Sequence, residues 1–196
     1  MESPIPVIVY AEATPNPSTM KYVANRPVLA DGRTAEYTSK ESTSGAPMAI
    51  QLFQFDFVQA VFFCNNYVTV TKKEGYVWGE INGMLREFVK SYLEQQLTVI
   101  MVFPEHKEVV APESLSGSEA LTKINELLDT YIRPAVEQDG GAIVLKGYDE
   151  TTGVVTVMLQ GSCSGCPSSQ TTIKKGVERM LTMMVPGVKE VIAEEV

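Results

Sequence analysis

Cysteine is scarce in this chain: three among 196 residues, an odd number, with two of them in a single CxxC. That count excludes the secreted disulfide framework, which needs a denser and even set. Histidine is scarcer still, with His106 alone, so no histidine pair at chelating spacing exists. Basic clusters are absent too. No Lys/Arg run exceeds a pair (Lys72-Lys73, Lys174-Lys175), and the formal net charge is −8. A nucleic-acid binder needs a basic face to displace counterions from phosphates, so no nucleic acid is expected as a partner. No stretch approaches the roughly 20 apolar residues of a bilayer-spanning helix, so no membrane partner is expected. The opening "MESPIPVIVYAEATPNPS" lacks the basic and long apolar regions of a signal peptide and the Arg/Ser-rich character of a transit peptide. Together with the cysteine usage, this makes a reducing cytoplasm the expected location.

What is present is ordinary globular composition, 44% hydrophobic and 20% charged. The stretch "PEHKEVVAPESLSGS" from Pro104 has two prolines, a Gly-Ser end and no amphipathic period. It reads as a linker, residues 104–117, between segments 1–103 and 118–196. The expected fold class is α+β: two small α+β domains joined by a linker.

In the first segment, Val7 to Ala11 is β-branched and apolar, "TPNPS" has turn chemistry, and "MKYVA" runs back as a second strand. After a polar stretch, "APMAIQLFQF" suggests a short helix. "VQAVFFCNNYVTVTKKEG" predicts a hairpin turning at Asn65-Asn66. "GEINGMLREFVKSYLEQQ" places Ile81, Met84, Leu85, Phe88 and Tyr92 on one helical face. The segment has no evident catalytic set and is expected to serve client or partner docking.

In the second segment, Leu121, Ile124, Leu128, Tyr131, Ile132 and Ala135 form a helical stripe, with Ser116 and Glu119 as a capping box. Pro134 should weaken or kink the end of that helix. Asp139-Gly140-Gly141 then breaks it, because glycine accepts the conformations a sharp exit needs. "AIVLKGY" and "VVTVMLQ" read as two strands. A helix starting at Pro167 buries Ile173, Val177, Met180, Leu181 and Met184, and "VKEVIAEEV" supplies a last strand. The Met180, Met183, Met184 group is expected in the helix core, an adaptable contact face being the other use of such residues.

Cys163 and Cys166 fall between a strand end and a helix N-terminus, where outward N–H groups and the helix dipole favour thiolate over thiol. Gly161 and Gly165 keep bulk off the loop. A CxxC supplies two soft ligands, whereas tetrahedral zinc and most iron–sulfur clusters take four. Cys64 and His106 have no neighbouring ligand at chelating spacing. The simplest completion is the same loop from a second chain across a twofold axis. A cluster held that way suits storage and handover. Asp139-Gly140-Gly141 and "GSCSGC" both lack the lysine of a phosphate loop.

"IRPAVEQDGGAIVLKGYDETTGVVTVMLQGSCSGCPSSQTTIKKGVERML" closely resembles the NifU-like domain of Nfu-type iron–sulfur proteins, over roughly residues 118–196. "EATPNPSTMKYV" and "VQAVFFCNNYVTVTK" resemble the Nfu N-terminal domain. The resemblance implies that Cys163 and Cys166 ligate a [4Fe–4S] cluster bridging a homodimer. The same four thiolates would also accept a [2Fe–2S] cluster. It further implies receipt from an upstream iron–sulfur scaffold and delivery to apo iron–sulfur client proteins. No chemical turnover is needed, so the chain is not expected to be an enzyme. Cys64 is left out of the site, since the family needs no ligand there. Two alternatives remain: a structural zinc bridging two chains, and a CxxC thiol–disulfide oxidoreductase. Against the latter, the proline follows the second cysteine and does not lie inside the pair.

Overall fold

The structure, a computed structural model, describes residues 6–29, 32–104, 119–164 and 167–195. It divides into two compact units, Met1–Pro104 and Glu105–Val196. The expected linker, except Pro104, lies outside the described residues, as do His106 and the capping serine Ser116.

The first unit is built on an antiparallel sheet of β1 (Val9–Ala13), β2 (Thr19–Ala24), β3 (Thr34–Tyr37), β4 (Val58–Cys64) and β5 (Tyr67–Lys72), in the order β1-β2-β5-β4-β3. Turn chemistry sets two of its connections. In the β1–β2 turn, the Asn16 side chain accepts from Ser18 N–H at 3.0 Å, and its carbonyl accepts from Thr19 N–H at 3.0 Å. In the β4–β5 hairpin, Asn65 takes φ 40°, the left-handed conformation that asparagine tolerates and a two-residue loop demands. Two helices cover one face: α1 (Pro47–Leu52) packs on β4, and α2 (Trp78–Glu94) packs on β1 and β2. Trp78 Nε1 donates to Pro17 O at 2.9 Å, tying the start of α2 to the β1–β2 turn.

Two departures from the sequence pattern have physical causes. The α2 face buries Ile81, Leu85, Val89, Tyr92 and Leu93, while Met84 is exposed. The helix sits over the edge strand and its neighbour, so a residue on its flank has no sheet beneath it. And β3 appears where only a polar stretch was expected; its four residues are held by pairing with β4, from Thr34↔Cys64 to Tyr37↔Val61.

Just past the end of α2, Gln96 takes φ 53°. A left-handed conformation there costs an ordinary side chain about 1 kcal/mol that glycine does not lose. Gln96→Gly is therefore expected to stabilise the unit by about 0.5–1 kcal/mol, read as a melting point a few degrees higher. A lower melting point would show that the glutamine side chain holds this turn.

The second unit begins with α3 (Glu119–Leu127), a π turn (Leu128–Ile132) and α4 (Arg133–Gln138). Pro134 has no N–H for Thr130, and one residue earlier Arg133 N–H reaches back five residues to Leu128 O. The wider turn shifts the helical phase. Ile124, Leu127, Leu128 and Val136 are buried, while Tyr131 and Ala135, expected inside, are exposed. Arg133 fastens the turn, donating to Asn125 Oδ1 at 2.9 Å and Ile143 O at 3.3 Å and pairing with Asp129.

Then come β6 (Gly141–Asp149), β7 (Val154–Gly161), α5 (Pro167–Met184) and β8 (Glu190–Glu195), in a sheet ordered β6-β7-β8. β6 and β7 are antiparallel, and β8 returns parallel to β7 through the α5 crossover. Val177 and Leu181 carry the α5 core face, with Ile173 and Met180 half-buried beside them and Val185 buried just past its end. Met184 is 45% exposed and Met183 76%, so the methionine pair stands on the surface, contrary to the helix-core expectation.

Candidate metal centre

The CxxC loop leaves the C-terminal end of the central strand β7 and enters α5. Gly161, with φ 68°, turns the chain off the strand, a conformation glycine adopts without penalty. Beyond it, Ser164 N–H donates to Gly161 O at 3.1 Å. Cys163 is 2% exposed and belongs to the apolar core of this unit. The second cysteine, Cys166, lies outside the described residues.

The loop is locked to the helix-breaking "DGG" turn, twenty or so positions earlier in the chain. Ser162 N–H donates to Gly140 O at 3.2 Å, and Ser162 Oγ donates to Asp139 O. Gly141 pairs with Gly161 across the β6–β7 ladder. A Cβ on Gly141 would lie 2.7 Å from Cys163 Sγ and 2.7 Å from Gln160 O. The Cys163 thiol therefore rests on bare glycine backbone. Sequence reasoning assigned the turn only to ending a helix. One glycine suffices for that: Gly140, with φ 81°, is the left-handed residue. The second glycine was the signal that something approaches closely.

Cys64, at the end of β4 opposite Tyr67, is buried in the first unit. Among the described residues, no group of three or more His, Cys, Asp or Glu side chains is placed to hold a metal ion. Cys163 thus has no complete ligand set around it among those residues.

These features define a class: two small α+β units, the second with its CxxC sequence between the central strand of a mixed sheet and a long helix. Family models match both units, the Nfu/NifU N-terminal scaffold-protein model over residues 9–96 and the NifU-like domain over residues 124–192. NifU-like protein 5, mitochondrial, of Arabidopsis thaliana is 36% identical over 96% of this chain and 68% of its own length. NifU-like protein 4, mitochondrial, of the same plant is 37% identical over 96% of this chain and 66% of its own length. The NFU1 iron-sulfur cluster scaffold homolog, mitochondrial, of Drosophila ananassae is 36% identical over 94% of this chain, which spans 63% of that protein. The chain belongs to the Nfu family of NifU-like proteins.

The relatives correct the expected location. All three are named as mitochondrial, which overturns the cytoplasmic expectation. Cysteine usage argued only for a reducing environment, and a reducing environment does not separate one such compartment from another.

Proposed function

We propose that this protein is an iron–sulfur cluster carrier that binds a [4Fe–4S] cluster between two copies of the chain through Cys163 and Cys166 of each. It takes the cluster from an upstream iron–sulfur scaffold and passes it to apo-proteins, in the mitochondrial setting of its relatives' names. The observation that carries this is the half-set of ligands: two cysteines in one loop, with no metal-holding group of side chains among the described residues. Four thiolates complete the coordination of such a cluster, and a twofold axis supplies them from identical loops.

The chain's own residues shape the handover. The N-terminus of α5 follows the cysteine pair, and its dipole favours the thiolate that ligates. Cys163 Sγ rests inward on Gly141, so loading requires the thiol to swing out of that contact. Release returns it to a packed site, which offsets part of the cost of giving up the ligand. On loading, each thiol would give up its proton and take an iron–sulfur bond, and release would reverse both, so the protein ends unchanged and the role is that of a carrier, not an enzyme. The first unit serves partner docking.

Anaerobic reconstitution with iron and sulfide, followed by metal counting and mass in solution, tests the proposal. About four iron and four sulfide per two chains and a doubled mass are expected. A strictly monomeric loaded protein, or one that takes zinc and refuses iron, overturns it. Cys64→Ala should leave the iron count unchanged while costing about 1 kcal/mol of stability for a truncated buried side chain. Iron loss in that variant would move the site to the first unit.

A further inference from the structure

Helix α5 carries an outward stripe that packing within the second unit does not use. Lys175, Arg179 and Met183 recur at intervals of four on the side opposite Val177 and Leu181, and all three are exposed, Met183 at 76%. Lys174 stands half-buried on the flank. Among the described residues, none of these three cationic side chains is in an ion pair or a hydrogen bond. The one acid of α5, Glu178, is turned onto the last strand, its Oε2 accepting from Val191 N–H at 3.0 Å. The helix therefore shows a positive face in a chain whose formal net charge is −8. Gly176, exposed on the same stripe, is a second and independent sign. Glycine inside a helix destabilises it relative to alanine, yet no neighbouring side chain or element comes within 4 Å of where its Cβ would stand. Packing within this chain does not require the glycine. Its other use is to let a foreign backbone approach closely.

We propose that this face docks an acidic amphipathic helix of a partner protein. Carboxylates of that helix meet Lys175 and Arg179, its backbone crosses over Gly176, and an apolar side chain packs on Met183. Charge complementarity selects the acidic partner. The flexible methionine fits a surface that accepts more than one such partner. A second copy of this chain does not fit, because a twofold axis on this face would set Lys175 and Arg179 against themselves. An extended polyanion, whether nucleic acid or an anionic bilayer, would meet the net negative charge of the chain beyond the stripe, whereas a short acidic helix would not. α5 starts at Pro167, next in sequence to Cys166, and Lys175 stands about 12 Å along the helix from that start, so a docked partner lies near the cysteine pair. The contact adds to the docking role of the first unit and rests on the carrier reading only for what the partner receives.

A fluorescein-labelled helical peptide of two Leu-Ala-Glu-Glu-Leu-Ala-Glu heptads, titrated by anisotropy against the full chain, tests this. Saturable binding that weakens with added salt is expected, with amide chemical-shift changes at Lys175, Gly176, Arg179 and Met183 and none in the first unit. Lys175→Glu and Arg179→Glu should each weaken binding about fivefold, the upper end for an exposed ion pair. Gly176→Ala should also weaken it while melting at the same temperature or higher, a combination that a purely structural glycine does not give. The same peptide with lysine for glutamate should not bind. Equal binding of the lysine peptide, indifference to all three variants, or no binding below millimolar concentration overturns the proposal. So does tighter capture by phosphatidylserine vesicles with the same variant dependence, which would make the occupant a bilayer. Loss of the doubled mass in a cluster-loaded Arg179→Glu protein would assign the stripe to a second copy and overturn it as well. Iron counts on the same samples keep the two ideas apart. A failed peptide with normal cluster loading removes the docking proposal alone, and normal peptide binding without iron removes the carrier proposal alone.

Discussion

Cys163→Ala and Cys166→Ala proteins, reconstituted without oxygen, are expected to hold iron at background. Each substitution removes two of the four thiolates in a dimer. Loss of an outer-shell partner alone typically costs about 10–100-fold in metal affinity, so loss of the ligands themselves should exceed 100-fold. The fold should survive both changes. Cys163 contributes one small buried side chain to a core that includes Ile124, Leu128, Ile143, Leu159 and Leu181, and its truncation should cost about 1–2 kcal/mol. Circular dichroism and a thermal melt separate lost binding from lost structure. A cluster retained by both variants at normal stoichiometry would show that the CxxC is not its holder.

Gly141→Ala is expected to destabilise the second unit by adding a methyl directly against the cysteine loop. The new carbon would meet Cys163 Sγ and Gln160 O, each at 2.7 Å. One of these is a side chain that can rotate away. The other is backbone of the central strand, where Gln160 pairs with Ala142 of β6. Gly141 is not among the residues with positive φ, so alanine can take its backbone shape and the cost is steric. Overpacking of this kind costs about 1–3 kcal/mol, or roughly 10 °C in melting temperature for a unit of this size. The displaced thiol should also react faster with an alkylating reagent under native conditions. Gly176→Ala, in α5 with nothing within 4 Å, is the control and should melt at the same temperature or higher. Equal melting of the two variants would mean that the contact between Cys163 and Gly141 is dispensable.

Local signals were legible wherever a residue type has one physical use. Asn65-Asn66 between alternating apolar strands predicts the hairpin that forms, and Pro167 predicts the first residue of α5. Gly140 ends α4 as its conformational freedom suggests. Illegible features were those in which a distant element supplies the reason. β3 is four residues long and exists through its pairing with β4. Met84 fits the helical period of α2 as well as Val89 does, and only the position of the sheet beneath decides which is buried. Tyr131 and Ala135 are exposed because the π turn ahead of Pro134 advances the phase of the stripe.

The candidate site divides along the same line. By itself the sequence determined the ligand type, the half-set of two cysteines and their place between strand and helix, since these depend on residue identity and on neighbours within a few positions. Only the tertiary structure decided that Asp139, Gly140 and Gly141 hold the loop, and that the Cys163 thiol is packed on Gly141 and not left open to solvent. It likewise brought Arg26 and Arg33 to a groove whose other wall comes from residues sixty or more positions away. Such contacts follow from strand register and helix docking, which depend on the whole chain packing at once and leave no period or motif for a one-dimensional pattern to carry.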